Sequence, residues 1–109
     1  MKQSESRENM LKGKQKRFLR GIAQTTKPVM QIGKNSITEG FTDNFVIQLD
    51  SHELIKVSVL PNCLDDKEEL AAYLCEKASC ELVQIIGNQL VFYRESKKLD
   101  KEERLKLPQ

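Results

Sequence analysis

Val29–Met30–Gln31–Ile32–Gly33–Lys34–Asn35–Ser36–Ile37–Thr38–Glu39 is the stretch from which the fold is read. Val29 to Ile32 form a short strand candidate, and Gly33 closes it with a residue suited to a sharp turn. Ser36 followed by Glu39 three positions on is a capping-box pattern, with the serine at N-cap. From Ile37 to about Asp50, Ile37, Phe41, Phe45 and Leu49 recur every four residues, the spacing of a buried helix row. Strand, turn and helix in this order begin an α/β domain.

Upstream, Leu11 to about Gln24 reads as an amphipathic helix. Leu11, Gln15, Phe18, Leu19, Ile22 and Ala23 gather on one side, so Phe18 is expected in the core. Lys12, Lys16 and Arg20 follow an i, i+4, i+8 row on another side, with Arg17 beside them. Thr25–Thr26–Lys27–Pro28 ends this helix, because proline cannot continue it and disfavours helical geometry in the residue before. Residues 1–9 are polar and lack periodicity, which reads as a flexible tail.

Downstream, Glu53 to Leu60 is a strand with Ile55, Val57 and Val59 on one face and Leu54 and Leu60 on the other. Pro61–Asn62 breaks it, and a helix is expected from Asp65, where Asp65 and Glu68 repeat the capping-box pattern. Leu70, Ala71, Leu74, Cys75 and Ala78 supply its apolar face. Glu81–Ile86 and Gln89–Arg94 are strands joined by Gly87–Asn88, a two-residue hairpin signal with glycine first, as a type II′ turn prefers. The expectation is an α/β fold: a single compact domain, α-β-α-β-α-β-β, with a four-stranded mixed sheet. Its last hairpin makes one pair antiparallel. Residues 96–109 are charged and read as a tail beyond a domain spanning 10–95.

Composition narrows the function classes. Of 109 residues, 39% are hydrophobic, enough for a modest core, and no apolar run approaches the roughly 20 residues of a membrane span. The polar N-terminus has no apolar region of signal-peptide type, so a cytoplasmic location is expected. Three cysteines, Cys63, Cys75 and Cys80, match no metal or redox spacing and are expected to pack as small apolar side chains. The single histidine, His52, sits between two polar residues at the end of an expected helix, with no second histidine to make a metal pair. No metal, cofactor or small-molecule substrate is implied, and the chain does not read as an enzyme. Asp65, Asp66, Glu68 and Glu69 read as stabilising a helix N-terminus.

The net charge of +2 conceals an asymmetry: residues 1–34 carry +7, residues 35–93 carry −7 and residues 94–109 carry +2. A basic segment on an acidic body implies a partner of negative charge. Gly33, Lys34, Asn35 and Ser36 lie at a strand-to-helix turn, where unpaired helix amides and the helix dipole favour an anion. Neither a Walker loop nor a dinucleotide fingerprint is present. Lys12, Lys14, Lys16, Arg17, Arg20 and Lys27 extend the anion site into a stripe suited to a nucleic-acid backbone. Phe92 and Tyr93 must point to opposite faces of the last strand, leaving Tyr93 open as a base-stacking residue. With so few aromatics, recognition is expected to follow shape and backbone more than base sequence.

Leu11 to Arg20, Lys27 to Ser36, Glu53 to Val57, Val83 to Gly87 and Leu90 to Arg94 together resemble the CRM domain, named for chloroplast RNA splicing and ribosome maturation. A free-standing domain of this length is similar to bacterial YhbY-type proteins. The resemblance implies a fold similar to the C-terminal domain of translation initiation factor three. It also implies RNA binding through a Gly-x-x-Gly loop and association with ribosomal RNA in precursors of the large (50S) subunit. Carried onto this sequence, the loop is Gly33, Lys34, Asn35 and Ser36, with serine where the family has glycine. Ser36 adopts glycine's special backbone angles only at a cost, but its hydroxyl can cap a helix or bond a phosphate. The alternative is a protein-interaction module that docks an acidic partner through the basic helix.

Overall fold

The computed structural model describes residues 13–96, 99, 105 and 107. The expected N-terminal tail, Leu11 and Lys12 lie outside them. The elements keep the expected order: α1 (Gly13–Ala23), β1 (Met30–Ile32), α2 (Glu39–His52), β2 (Leu54–Val59), α3 (Lys67–Ala78), β3 (Glu81–Ile86) and β4 (Gln89–Tyr93).

The four strands form one mixed sheet in the order β1-β2-β4-β3. β1 runs parallel to β2, with Met30 opposite Val57 and Ile32 opposite Val59. β4 is antiparallel to both β2 and β3. Two pairs are therefore antiparallel, where the hairpin alone led to an expectation of one. The reason is burial. Leu90, Val91 and Phe92 are all fully buried, so β4 needs cover on both faces and a strand on either side. Gly87 enters the hairpin turn at φ 56, the left-handed geometry that a type II′ turn needs in its first central residue.

Strand alternation divides the core. Ile55, Val57, Val59, Leu90 and Phe92 face α2 and α3, where they meet Phe45, Leu49, Leu70, Ala71, Leu74 and Ala78. The Phe45 ring stands edge-on to Phe92 at 5.0 Å between centroids. Leu54, Val83, Val91 and Tyr93 face the other way, against Leu19 and Ala23 of α1. The molecule thus has α1 on one side of the sheet and α2 with α3 on the other. Cys80 belongs to the larger core. Hydrogen bonding with the Cys75 side chain, and then burial, hold its thiol far above the ordinary thiol range.

Both helix N-caps fall later than expected. Thr38, not Ser36, caps α2, its hydroxyl accepting from the Phe41 amide at 3.1 Å. Asp66, not Asp65, caps α3, accepting from the Glu69 amide at 3.1 Å. The two residues passed over bond each other: the Ser36 hydroxyl donates to the Asp65 carboxylate. The chain leading into α2 is thereby tied to the chain leading into α3.

Packing continues past Tyr93. Glu53, fully buried at the C-cap of α2, accepts from the Ser96 amide at 2.7 Å and the Leu105 amide at 2.6 Å. Leu105 and Leu107 then pack beside Leu19 and Tyr93 on the α1 side.

Candidate nucleic-acid interface

The loop begins where β1 leaves the sheet. The Leu60 amide donates to the Ile32 carbonyl at 2.8 Å, and the Ser36 amide donates to the Gly33 carbonyl at 2.9 Å, closing the turn. Gly33 does not take a left-handed backbone, and a Cβ there would meet Leu60 and Asn62 at ordinary contact distances, 3.5 and 3.6 Å. The left-handed position is Ser36, at φ 57. The conformational freedom expected at Gly33 is thus needed three residues later, at the position where the CRM loop carries its second glycine.

This geometry changes how the loop can hold an anion. The amide-rich start of α2 lies at Glu39, beyond the loop, and its first turn is capped by Thr38. The Ser36 hydroxyl is engaged by Asp65. Lys34 and Asn35 are exposed at the tip, so the contribution of the loop is the Lys34 ammonium together with polar loop groups. On the α3 side of the loop a pocket of about 330 Å³ is lined by Ser36, Ile37, Asp65, Glu69, Leu70 and Tyr73. Its two carboxylates repel phosphate, which leaves the opposite side, toward β1 and α1, as the favourable approach.

On α1, Lys14 and Arg17 are exposed, while Lys16 and Arg20 are half-buried at the margin of the buried stripe. Lys27 is exposed in the segment between α1 and β1. Lys12, the remaining predicted contact, lies outside the described residues. The helix and the loop sit on different sides of the sheet, since α1 covers one face and the loop feeds α2 on the other. They are joined through β1, which is an edge strand of only three residues, while α1 itself packs over β2 and β3. Lys27 stands just before that strand and Lys34 just after it, and seven residues of extended chain span at most about 25 Å. The cations of α1 and of the Lys34 loop are therefore carried on opposite faces of the sheet, with Lys27 and β1 between them in the chain. The structure does not gather them on one flat face.

Two aromatic expectations are settled by burial. Tyr93 is 6% exposed and packs with Leu19 and Ala23, so its ring is part of the core and closed to a base. Phe18, expected in the core, is 40% exposed. The buried stripe of α1 is narrow, with only Leu19 and Ala23 fully enclosed. Phe18 lies about 100° from Leu19 and about 140° from Ala23 around the helix, at the margin of the stripe that those two residues bury. Sequence reasoning misplaced Phe18; the available clue was its position between Arg17 and the helix-interior Gly21.

Comparison with known proteins adds a lineage to this geometry. The family model for the CRS1 / YhbY (CRM) domain matches residues 11–94. The "Probable RNA-binding protein YqeI" of Bacillus subtilis is 47% identical over 88 residues, covering 81% of this chain and 92% of that protein. A protein of Haemophilus influenzae named "RNA-binding protein" is 37% identical over 98 residues, covering 90% of this chain and 95% of its own. The solution structure of SAV1595 from Staphylococcus aureus superimposes with a TM-score of 0.75 at 50% identity, over 91% of this chain and all of that one.

Proposed function

The chain belongs to the CRS1 / YhbY (CRM) domain family, and from that membership we propose that it binds RNA along a cationic path around β1. Lys14, Lys16, Arg17 and Arg20 hold the backbone on α1, Lys27 carries it past the sheet edge, and Gly33, Lys34, Asn35 and Ser36 form the far end. Lys12, outside the described residues, is proposed as a further contact from the sequence alone. The observation that carries this reading is the exposure of Arg17, Lys27 and Lys34 along that path, while Asp65 and Glu69 lie on the α3 side of the loop. Phosphates are drawn to the first set and turned away from the second.

The RNA is ribosomal, in cytoplasmic precursors of the large subunit, and the protein acts as an assembly factor by binding alone. What supports this finer reading is the likeness to free-standing CRM proteins together with a binding surface better suited to shape and backbone than to base sequence.

The test is a triple variant, Arg17→Ala, Lys27→Ala, Lys34→Ala, at three exposed positions taken from three parts of the path. Affinity for structured ribosomal RNA falls for all sequences alike, and the slope of log affinity against log salt becomes shallower by about two to three units. Unchanged affinity and slope would refute the surface. RNA crosslinked to the protein in cells should be enriched in large-subunit precursor sequence, and a spread over messenger RNA would remove the assembly role while leaving RNA binding.

A further inference from the structure

We infer that the exposed face of α1 carries a stacking ledge for one unpaired RNA base, made by the Phe18 ring beside Gly21, with Lys14 and Arg17 along one side of it. The inference rests on the RNA-binding reading above and deepens it by stating which kind of RNA is selected.

At 100° per residue, Lys14, Phe18 and Gly21 fall within about 60° of one another, and Arg17 widens the sector to about 100°. All four are exposed. The apolar residues that pack on this side, Ile22, Leu105 and Leu107, join the cluster of Leu19 and Tyr93, where Phe18 is not a member. A phenylalanine ring is thus turned outward in the most basic part of the chain.

Gly21 is the second, independent observation. Glycine is the poorest helix-interior residue apart from proline. A Cβ built on Gly21 meets no heavy atom within 4 Å beyond the backbone of the helix itself, and its φ is not left-handed. Among the described residues nothing requires glycine there. Its effect is to leave a flat strip beside the Phe18 ring, where a planar group can lie close to the helix.

The charge around the ring chooses the occupant. Lys14 and Arg17 both lie on the same side of the Phe18 ring as Gly21, which suits a base whose adjoining phosphate lies on that side, and stacking is tolerant of base identity. Bases inside a duplex have both faces covered, so the ledge takes a nucleotide from a loop, bulge or end. The substrate is then a structured RNA with an unpaired nucleotide, held by phosphate contacts along the β1 edge and by one base on α1.

The chain has no tryptophan, so Phe18→Trp places a single indole reporter on the ledge. Its fluorescence should be quenched by a hairpin RNA with an unpaired loop and little changed by a blunt duplex of equal charge. Phe18→Ala should lower affinity for the hairpin by about fivefold or more while leaving duplex affinity unchanged. Phe18→Leu, apolar but without a ring, should lose as much. Gly21→Ala should raise the thermal midpoint and still weaken hairpin binding, which separates loss of the ledge from loss of folding. If the wild-type protein binds no RNA, both the function and the ledge fall. If it binds RNA but Phe18→Ala and Gly21→Ala bind the hairpin equally well and the indole stays bright, only the ledge falls. If Phe18→Ala abolishes self-association in sedimentation and leaves RNA affinity intact, the ring serves a second copy of the chain and the ledge is overturned.

Discussion

The two sides of the sheet are built to different standards. On one side α2 and α3 enclose Phe45, Leu49, Leu70 and Leu74 against the strands, and each helix begins at a residue whose side chain caps it. On the other side α1 is held by Leu19 and Ala23, bears glycine at both 13 and 21, and leaves a phenylalanine outside. A face that already supplies most of the buried apolar area releases the opposite face from that duty. The cations, the exposed ring and the helix-weakening glycine can be tolerated on α1 because the larger core keeps the sheet folded without them.

The sharpest way to break this comparison is at Phe45, which is fully buried and edge-on to Phe92. Phe45→Ala should cost about 3–5 kcal/mol in chemical denaturation. RNA binding should be lost only to the extent that the protein unfolds. A cost below about 1 kcal/mol would mean that the α2–α3 face does not carry the stability assigned to it.

Leu19→Ala should have a smaller global effect, toward the lower end of about 2–5 kcal/mol, because α1 closes only one side. Its distinguishing result is local. Amides of α1 should exchange with solvent at an opening free energy below that of β4, already in the wild type and more so in the variant. Equal protection of α1 and β4 would erase the proposed difference between the two sides.

The smallest effect is expected at the junction, where Ser36 holds a left-handed backbone at φ 57. Ser36→Ala loses the bond to Asp65 and keeps the Cβ strain, whereas Ser36→Gly loses the bond and relieves the strain. The glycine variant should therefore be the more stable of the two by about 1 kcal/mol in thermal or denaturant unfolding. An alanine variant as stable as the glycine one would show that the turn is not strained at this position.

Much of the fold is legible in single elements. The four-residue spacing of Phe41, Phe45 and Leu49 marks α2, and alternation along Leu54 to Val59 assigns each side chain to its face of the sheet. Gly87–Asn88 marks the hairpin. The cap residues are read one or two positions early, because Ser36 and Asp65 satisfy the local capping-box pattern, in the case of Ser36 better than Thr38, which is followed three residues later by Phe41. What separates them is a bond between residues 29 positions apart, which no local pattern contains. The candidate site is legible only as a charge distribution, with +7 in the first 34 residues, and not as a shape.

By itself, then, the sequence determines the order of elements, the inward row of each helix and strand, and the basic character of the first third of the chain. These follow from periodicities of 2 and 3.6 residues and from charge counts, which are properties of one segment at a time. Only the tertiary structure places β4 between β2 and β3, sets α1 on the face opposite α2, and turns Phe18 outward. Those outcomes depend on how much apolar sheet surface each helix finds to cover, and that surface exists only after strands distant in sequence have paired.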